Sequence, residues 1–369
     1  MLILAWTAAA VVLLVQSLRV RSLWYYGTDI EATWDGARNL LRTGDPYVVV
    51  PGHSPFVYPP SAALLFAPAA LVDNRLFVAG GQLLTVVAAV ALGAALAALV
   101  GARWCGPVAA CFVIVMTLSS VGTETLGYAN LSWAVAALAG WTLVAMQHLR
   151  WHTAAVLIGL AVAIKPMAAT LALVLLVERR YRALALAAAI PLLLNLATIP
   201  LLRAPAEFVT VVLPRVLSGA TTGVGSNPSL WGFGVRHELD SPVVWFLRAL
   251  LFAATAGLVV VAARRRSPAH HAVIGLGSAA AVMLVVQVNQ PSYGLVVLPL
   301  AAALFAVGDA WTRAVLIAAS GLILSCGTPG WVPTDATMLG ELALLAASAR
   351  VTMSGDRTAD IQPAYVSRG

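Results

Sequence analysis

Eleven apolar stretches follow one another along this chain, at residues 2–18, 76–100, 105–121, 131–147, 153–178, 183–202, 243–263, 272–288, 293–308, 312–327 and 337–349. Lipid offers no hydrogen bonds to a backbone, so segments of this length and composition can cross a membrane only as helices or as a closed barrel. The runs lack the alternation of barrel strands and predict an all-α polytopic membrane protein of about 10–12 transmembrane or half-membrane helices. With 61% hydrophobic and 10% charged residues, no large soluble domain remains on either side. The net charge of +7 comes from arginines bordering the apolar runs. Such arginines orient spans, and no basic-aromatic motif for nucleic acid accompanies them. Cys105, Cys111 and Cys326 lack metal-ligand spacing and read as small core residues.

Met1–Gln16 lacks the basic leading region of a signal peptide and reads as the first span. Basic residues at Arg103, Arg150, Arg179-Arg180-Arg182, Arg264-Arg265-Arg266, Arg313 and Arg350 mark the cytosolic ends under positive-inside bias. Segment 153–178 breaks the parity, because Arg150 precedes it and the Arg179 cluster follows it. A re-entrant hairpin of two half-length helices restores it. Pro166 supplies the break, since proline removes a donor and steers the residue before it away from helix. A single membrane domain over 1–350, a cytosolic disordered tail over 351–369, and external loops at about 19–75 and 203–242 follow.

Lys165 stands directly before that proline and is the one lysine among 22 basic Lys and Arg residues. An ammonium at membrane depth costs about 2.5–3.5 kcal/mol on insertion scales, so it belongs in a bundle interior or wet cavity, facing an anionic ligand. Its bland alternative is snorkelling to the cytosolic headgroups.

The first external loop carries the acids. Trp24-Tyr25-Tyr26 forms an interfacial aromatic belt, and Asp29 lies just beyond it at headgroup depth. Asp29 is the leading general-base candidate; its alternative is a helix cap for Ala32–Leu41. Glu31 and Asp35, four apart on one helix face, are local competitors. Asp29 and Glu31 together make only a weak metal signal, and no metal is expected at the site. His53 is a lone loop histidine, Gly44-Asp45-Pro46-Tyr47 a turn, and Tyr58 an interface anchor or a platform for a sugar ring.

In the second loop, Phe208, Val211, Val212, Leu213 and Val216 form one apolar face of a surface helix between Ala206 and Leu217. Beyond it, Gly219, Gly223, Gly225, Gly232 and Gly234 surround Asn227-Pro228-Ser229-Leu230-Trp231. Trp231 is a candidate for stacking on acceptor sugars in a glycine-hinged cover, or an interfacial anchor.

The series Asp29, Gly44-Asp45-Pro46-Tyr47, Tyr58-Pro59-Pro60-Ser61-Ala62, Pro68, Asn130, Gly159-Leu160-Ala161-Val162-Ala163-Ile164-Lys165-Pro166 and Arg179-Arg180-Tyr181-Arg182-Ala183-Leu184 resembles glycosyltransferase family 87. The resemblance extends from about Asp29 to Pro299. Asn195, Pro200, Phe208, Leu213-Pro214, Asn227-Pro228-Ser229 and Gln290-Pro291-Ser292-Tyr293-Gly294 are more similar to its arabinofuranosyl-transferring branch than to its mannosyl branch. Two departures stand out: Gly127-Tyr128-Ala129 precedes Asn130 where many relatives have Gly-Gln, and Gln290 and Tyr293 stand where mannosyl relatives have a histidine.

The resemblance implies a GT-C fold and actinobacterial plasma-membrane chemistry on the outer face, with Asp29 as the essential acid. A decaprenyl-phosphate sugar would be the donor substrate, a cell-envelope glycan or glycolipid the acceptor, and no cofactor is expected. Lys165, with Arg215 or Arg236 from the second loop, would offset charge on the leaving phosphate. Tyr58, Asn130, Trp231, Gln290 and Tyr293 would bind substrate, and transfer would invert the anomeric carbon. A lipid-linked sugar flippase and a non-catalytic membrane scaffold are the readings from other classes.

Overall fold

The computed structural model describes residues 1–218, 226–286, 289–325 and 333–354. Gly219, Gly223, Gly225, Cys326 and the tail beyond 354 lie outside the described residues. Helices account for the architecture, and no strand occurs among the described residues. In chain order they are α1 (Leu2–Val20), α2 (Thr28–Thr43), α3 (Pro60–Phe66), α4 (Asn74–Leu99), α5 (Pro107–Leu118), α6 (Ser120–Gly127), α7 (Ser132–Gln147) and α8 (Trp151–Ile164). Then come α9 (Ala172–Val177), α10 (Tyr181–Thr198), α11 (Leu213–Leu217), α12 (Leu230–Arg236) and α13 (Ser241–Arg265). The last four are α14 (His270–Val285), α15 (Gly294–Val307), α16 (Ala310–Leu324) and α17 (Pro333–Ser354). The fold is all-α and membrane-spanning, as the apolar runs predict.

Five helices among the described residues are long and apolar enough to cross a membrane: Leu2–Val20, Asn74–Leu99, Tyr181–Leu201, Ser241–Arg265 and Thr334–Ser354. Helices α10 and α13 expose most of their surface, with Leu192, Leu193, Trp245, Phe246, Leu250 and Phe252 turned outward as lipid-facing residues are. The core lies instead around α4, α7 and α15, where small residues permit close approach. A Cβ on Gly140 would meet Ala95 at 2.9 Å, and one on Gly93 would meet Val113 at 2.6 Å.

Segment 105–121 is not straight: α5 and α6 meet at a 75° bend. Ser119 makes the corner, its hydroxyl accepting from the Gly122 N–H at 3.0 Å to cap α6. Gly122 is required there, because a Cβ would lie 1.8 Å from the Met116 carbonyl oxygen. The bend carries the chain beneath the first loop, where the Gly27 N–H donates to the Gly127 carbonyl at 2.8 Å.

The hairpin predicted at Lys165-Pro166 forms. Helix α8 ends at Ile164, Lys165 is extended at φ −137° and ψ 114°, and a 3-10 segment over Pro166–Leu171 leads into α9. The ends of this segment return to each other: the Arg180 guanidinium lies 4.9 Å from the centre of the Trp151 ring. A continuous span would hold them apart by its full length, about 1.5 Å per residue.

Contacts at the helix ends sort the bundle into two faces. On one, Trp151 meets His271 with ring centres 5.6 Å apart, Arg266 reaches Glu178 at 3.6 Å, Arg265 donates to the Met353 carbonyl at 2.6 Å, and Arg350 pairs with Asp309 at 2.8 Å. Lys165 stands at the opposite end of α8, with Asn130, Asp29 and Tyr293 gathered around it. Arg180, Arg265, Arg266 and Arg350 thus share one face, and the acids of the first loop occupy the other.

Candidate active site

The first loop folds into a platform. Gly27, at φ +74°, takes the N-cap position of α2, so Asp29 does not cap the helix with its side chain. It lies in the first turn, where the helix dipole favours a carboxylate, and its carboxylate is free to point away from α2. That carboxylate accepts a hydrogen bond from the Asn130 side-chain amide.

Asn130 is the hub. Its amide N–H goes to Asp29, while its Oδ1 accepts from Lys165 Nζ at 3.0 Å and from the Ser132 N–H at 2.7 Å. These partners fix which way the amide faces, since the cation demands the oxygen and the carboxylate demands the NH₂ group. The α6–α7 turn delivers it: Ala129 adopts φ +51°, and the Asn130 N–H bonds the Thr125 carbonyl at 3.0 Å. Ala129 is fully buried, so the position before Asn130 contributes backbone shape and no polar side chain.

Lys165 enters from the hairpin apex. Beyond Asn130 it donates to Ser132 Oγ at 2.8 Å, and its ammonium faces the rings of Tyr293 at 4.7 Å and Tyr58 at 5.7 Å. Such contacts offset part of the cost of removing an ammonium from water. The side chain is only 4% exposed and stands at the end of α8 remote from the arginines, so it does not snorkel to the basic face. Tyr58 is held by its neighbours: its carbonyl accepts from Tyr47 Oη at 3.2 Å, while Ser61 Oγ donates to the Ala163 carbonyl at 3.0 Å and the Ser61 N–H to Asn195 at 3.2 Å. The loop is thereby pinned to the hairpin that carries Lys165.

A carboxylate and an ammonium are thus bridged by one amide, with two phenols beside the cation. Dense protein around Asp29 pushes its pKa up; the Lys165 charge and the Asn130 hydrogen bond pull the other way and are the weaker effects. Glu124 of α6 is a further carboxylate within electrostatic reach of Asp29.

Glu31, Asp35 and His53 form a separate cluster on the same loop. His53 Nδ1 lies 2.5 Å from Asp35 and its Nε2 3.7 Å from Glu31, which also accepts from Asn74 at 2.6 Å. The hydrogen bond to Asp35 raises the His53 pKa, and that contact fastens the loop to α2. His53 is therefore a partner of the two competing acids rather than a solitary solvated side chain. Beside this cluster, Trp34, Arg38, Arg42, Leu71, Asp73 and Asn74 line a groove of about 420 Å³.

The remaining predicted residues lie elsewhere or point differently. Arg236 Nη2 pairs with Asp335 at 2.5 Å and its Nη1 donates to the Asn227 carbonyl at 2.7 Å, tying α12 to α17. Arg215 is exposed on α11, and no contact joins it to Lys165. Trp231 is half-buried on α12. Gln290 precedes the 3-10 turn Pro291–Tyr293 that sets Tyr293 over Lys165, and the stretch is anchored by Asn289, which donates to the buried Glu341 at 3.2 Å. Ser132, Glu124 and Glu341 escape a sequence reading, since each is one more small or acidic residue in an apolar helix until its partners are known.

Comparison with known proteins gives the chain its family. The model of glycosyltransferase family 87 matches residues 56–288, which contain Asn130 and Lys165 but not Asp29. An alpha-(1->3)-arabinofuranosyltransferase of Mycobacterium tuberculosis is 28% identical over 264 residues, covering 68% of this chain and 59% of that protein. One from Corynebacterium glutamicum is 27% identical over 216 residues, covering 57% of this chain and 50% of that protein. The chain thus spans about half to three-fifths of the length of these relatives. No solved structure matches it. The family match covers well over half the chain, and the chain belongs to glycosyltransferase family 87.

Proposed function

We propose that this membrane glycosyltransferase moves an arabinofuranosyl group from a polyprenyl-phosphate donor to a cell-envelope glycan at the outer face of the plasma membrane. The reading is carried by one observation: Asp29 and Lys165 meet on the two ends of the Asn130 amide, at the face opposite Arg180, Arg265, Arg266 and Arg350. The acceptor hydroxyl oxygen attacks the anomeric carbon, the bond from that carbon to the phosphate oxygen breaks, and the proton passes to Asp29. The polyprenyl phosphate leaves as an anion beside Lys165, whose charge takes the part a metal ion plays in many nucleotide-sugar enzymes. The resemblance to the family implies that this single displacement inverts the anomeric configuration.

The arabinofuranosyl donor is favoured over the mannosyl one by the names of the relatives and by Tyr293, which occupies the late-loop position and covers Lys165 with its ring. The acceptor glycan fits the groove beside Trp34, Arg38 and Asn74, which opens next to Glu31 two residues from the proposed base. The test is transfer by purified protein in detergent, with polyprenyl-phosphate arabinose and polyprenyl-phosphate mannose offered in parallel and arabinan and mannan primers supplied. Arabinose transfer to arabinan, with mannose transfer at least ~100-fold slower, is the expected result. Preferential mannose transfer would reassign the donor, and donor movement across vesicles without any glycosidic bond would make the chain a transporter.

A further inference from the structure

At the arginine-bearing face, far from Asp29, three side chains converge without serving the reaction. Glu178 closes α9, the exit of the hairpin; His270 and His271 open α14. Their ligand atoms all lie within 4.8 Å of one another. His270 Nε2 is 3.1 Å and His271 Nε2 3.6 Å from the same oxygen, Glu178 Oε1.

The other nitrogen of His270 makes this geometry informative. His270 Nδ1 lies 2.6 Å from the Ser267 carbonyl oxygen, a contact that requires a proton on Nδ1. In a neutral ring Nε2 then carries a lone pair, and it points at a carboxylate oxygen, where two acceptors oppose each other. Two arrangements relieve that conflict: a second proton on the ring, or a cation between Nε2 and Oε1. Protonating His270 would place an imidazolium against the His271 ring, 4.0 Å away between centres, with the Arg266 guanidinium beside the same carboxylate. A cation held by the two Nε2 atoms and Oε1 relieves the His270 contact and engages all three side chains.

We propose that Glu178, His270 and His271 form a site for a divalent transition metal of the zinc class, clamping the base of the hairpin that holds Lys165. Two imidazoles and one carboxylate suit zinc and its neighbours and disfavour magnesium or calcium. Ligand atoms about 2.0–2.1 Å from a tetrahedral zinc stand about 3.4 Å apart, and the two observed separations bracket that spacing. The Ser267 carbonyl supplies the hydrogen bond that commonly orients a metal-bound histidine. Arg266 reaches the other carboxylate oxygen, Oε2, and leaves Oε1 to the metal. Trp151, at the hairpin's entrance, packs edge-on against His271, so the metal would join both ends of the hairpin to α14. This inference stands whatever sugar the enzyme transfers.

The test uses the full chain, purified through a tag without histidines, stripped with a chelator and titrated with zinc chloride in a calorimeter. Saturation at one zinc per chain is expected, with a higher melting temperature on zinc addition and no response to magnesium. His271→Ala and the shape-conserving Glu178→Gln should each weaken zinc binding at least ~10-fold. Lack of saturable binding by the stripped wild-type chain, or equal affinity in both variants, would overturn the site and leave an imidazolium clasp in its place.

Discussion

Replacing Asp29 by asparagine lowers the rate of sugar transfer by about 10²- to 10⁴-fold, the range associated with a positioned general base. The variant keeps its fold, because asparagine preserves the size of the side chain and can still face the Asn130 amide. Donor binding survives, since the ammonium of Lys165 keeps Asn130 and Ser132 as partners. The loss therefore falls on kcat, with KM for the donor changed little. The pH profile carries an independent signature. Burial raises the Asp29 pKa, and the base works only when ionised, so wild-type activity falls on the acid side at a pH above the ordinary carboxylate range. The Asp29→Asn variant lacks that acid limb. Near-normal turnover with an unchanged profile would remove Asp29 from the reaction and shift attention to Glu31 or Glu124.

Replacing Lys165 by methionine lowers kcat by about 10²- to 10³-fold, the effect of deleting one donor to charge that develops in the transition state. Methionine matches the apolar stem of lysine and lets Tyr58 and Tyr293 keep their packing, so folding is less disturbed than by alanine. The same substitution shifts the acid limb. The positive charge of Lys165 lowers the Asp29 pKa, and its removal lets that pKa rise, so the residual activity declines at a higher pH than in the wild type. A lysine serving only to fill space would alter kcat through stability and leave the acid limb in place. Rate against pH for both variants, in one detergent and with one donor, separates these outcomes.

Much of the architecture is legible in the sequence because membrane physics is coarse. Apolar runs mark helices, and arginines mark the face their ends share. The parity conflict at 153–178 required a hairpin, and the contact of Arg180 with Trp151 shows its two ends together. Lys165 and Asp29 stand out by type and place: one is an isolated ammonium in lipid, the other an acid just past an aromatic belt. Their common partner Asn130 came only from resemblance, because a single asparagine between helices carries no periodic signal.

What sequence did not disclose depends on tertiary pairing. Arg236 is as basic as any donor-phosphate ligand, yet its guanidinium meets Asp335, a residue 99 positions away. His53 appeared isolated because Asp35 lies 18 residues before it and is brought near by the fold of the loop over α2. The trio Glu178, His270 and His271 spans a gap of 92 residues and matches no compact motif, so only the packing of α9 against α14 brings its ligand atoms together. The bend at Ser119 falls inside the run 105–121, which reads as one span, and its need for Gly122 shows only in the folded chain.

An electron-microscopic structure of the chain with a non-hydrolysable polyprenyl-phosphonate arabinose decides whether one donor molecule lies between Lys165 and Asp29. A phosphonate oxygen is expected within hydrogen-bond reach of Lys165 Nζ, about 3 Å, with the anomeric carbon turned toward the acceptor side where Asp29 waits. A phosphonate bound at the arginine-bearing face or on Arg215, with Lys165 still buried against Asn130 and Ser132, would contradict it.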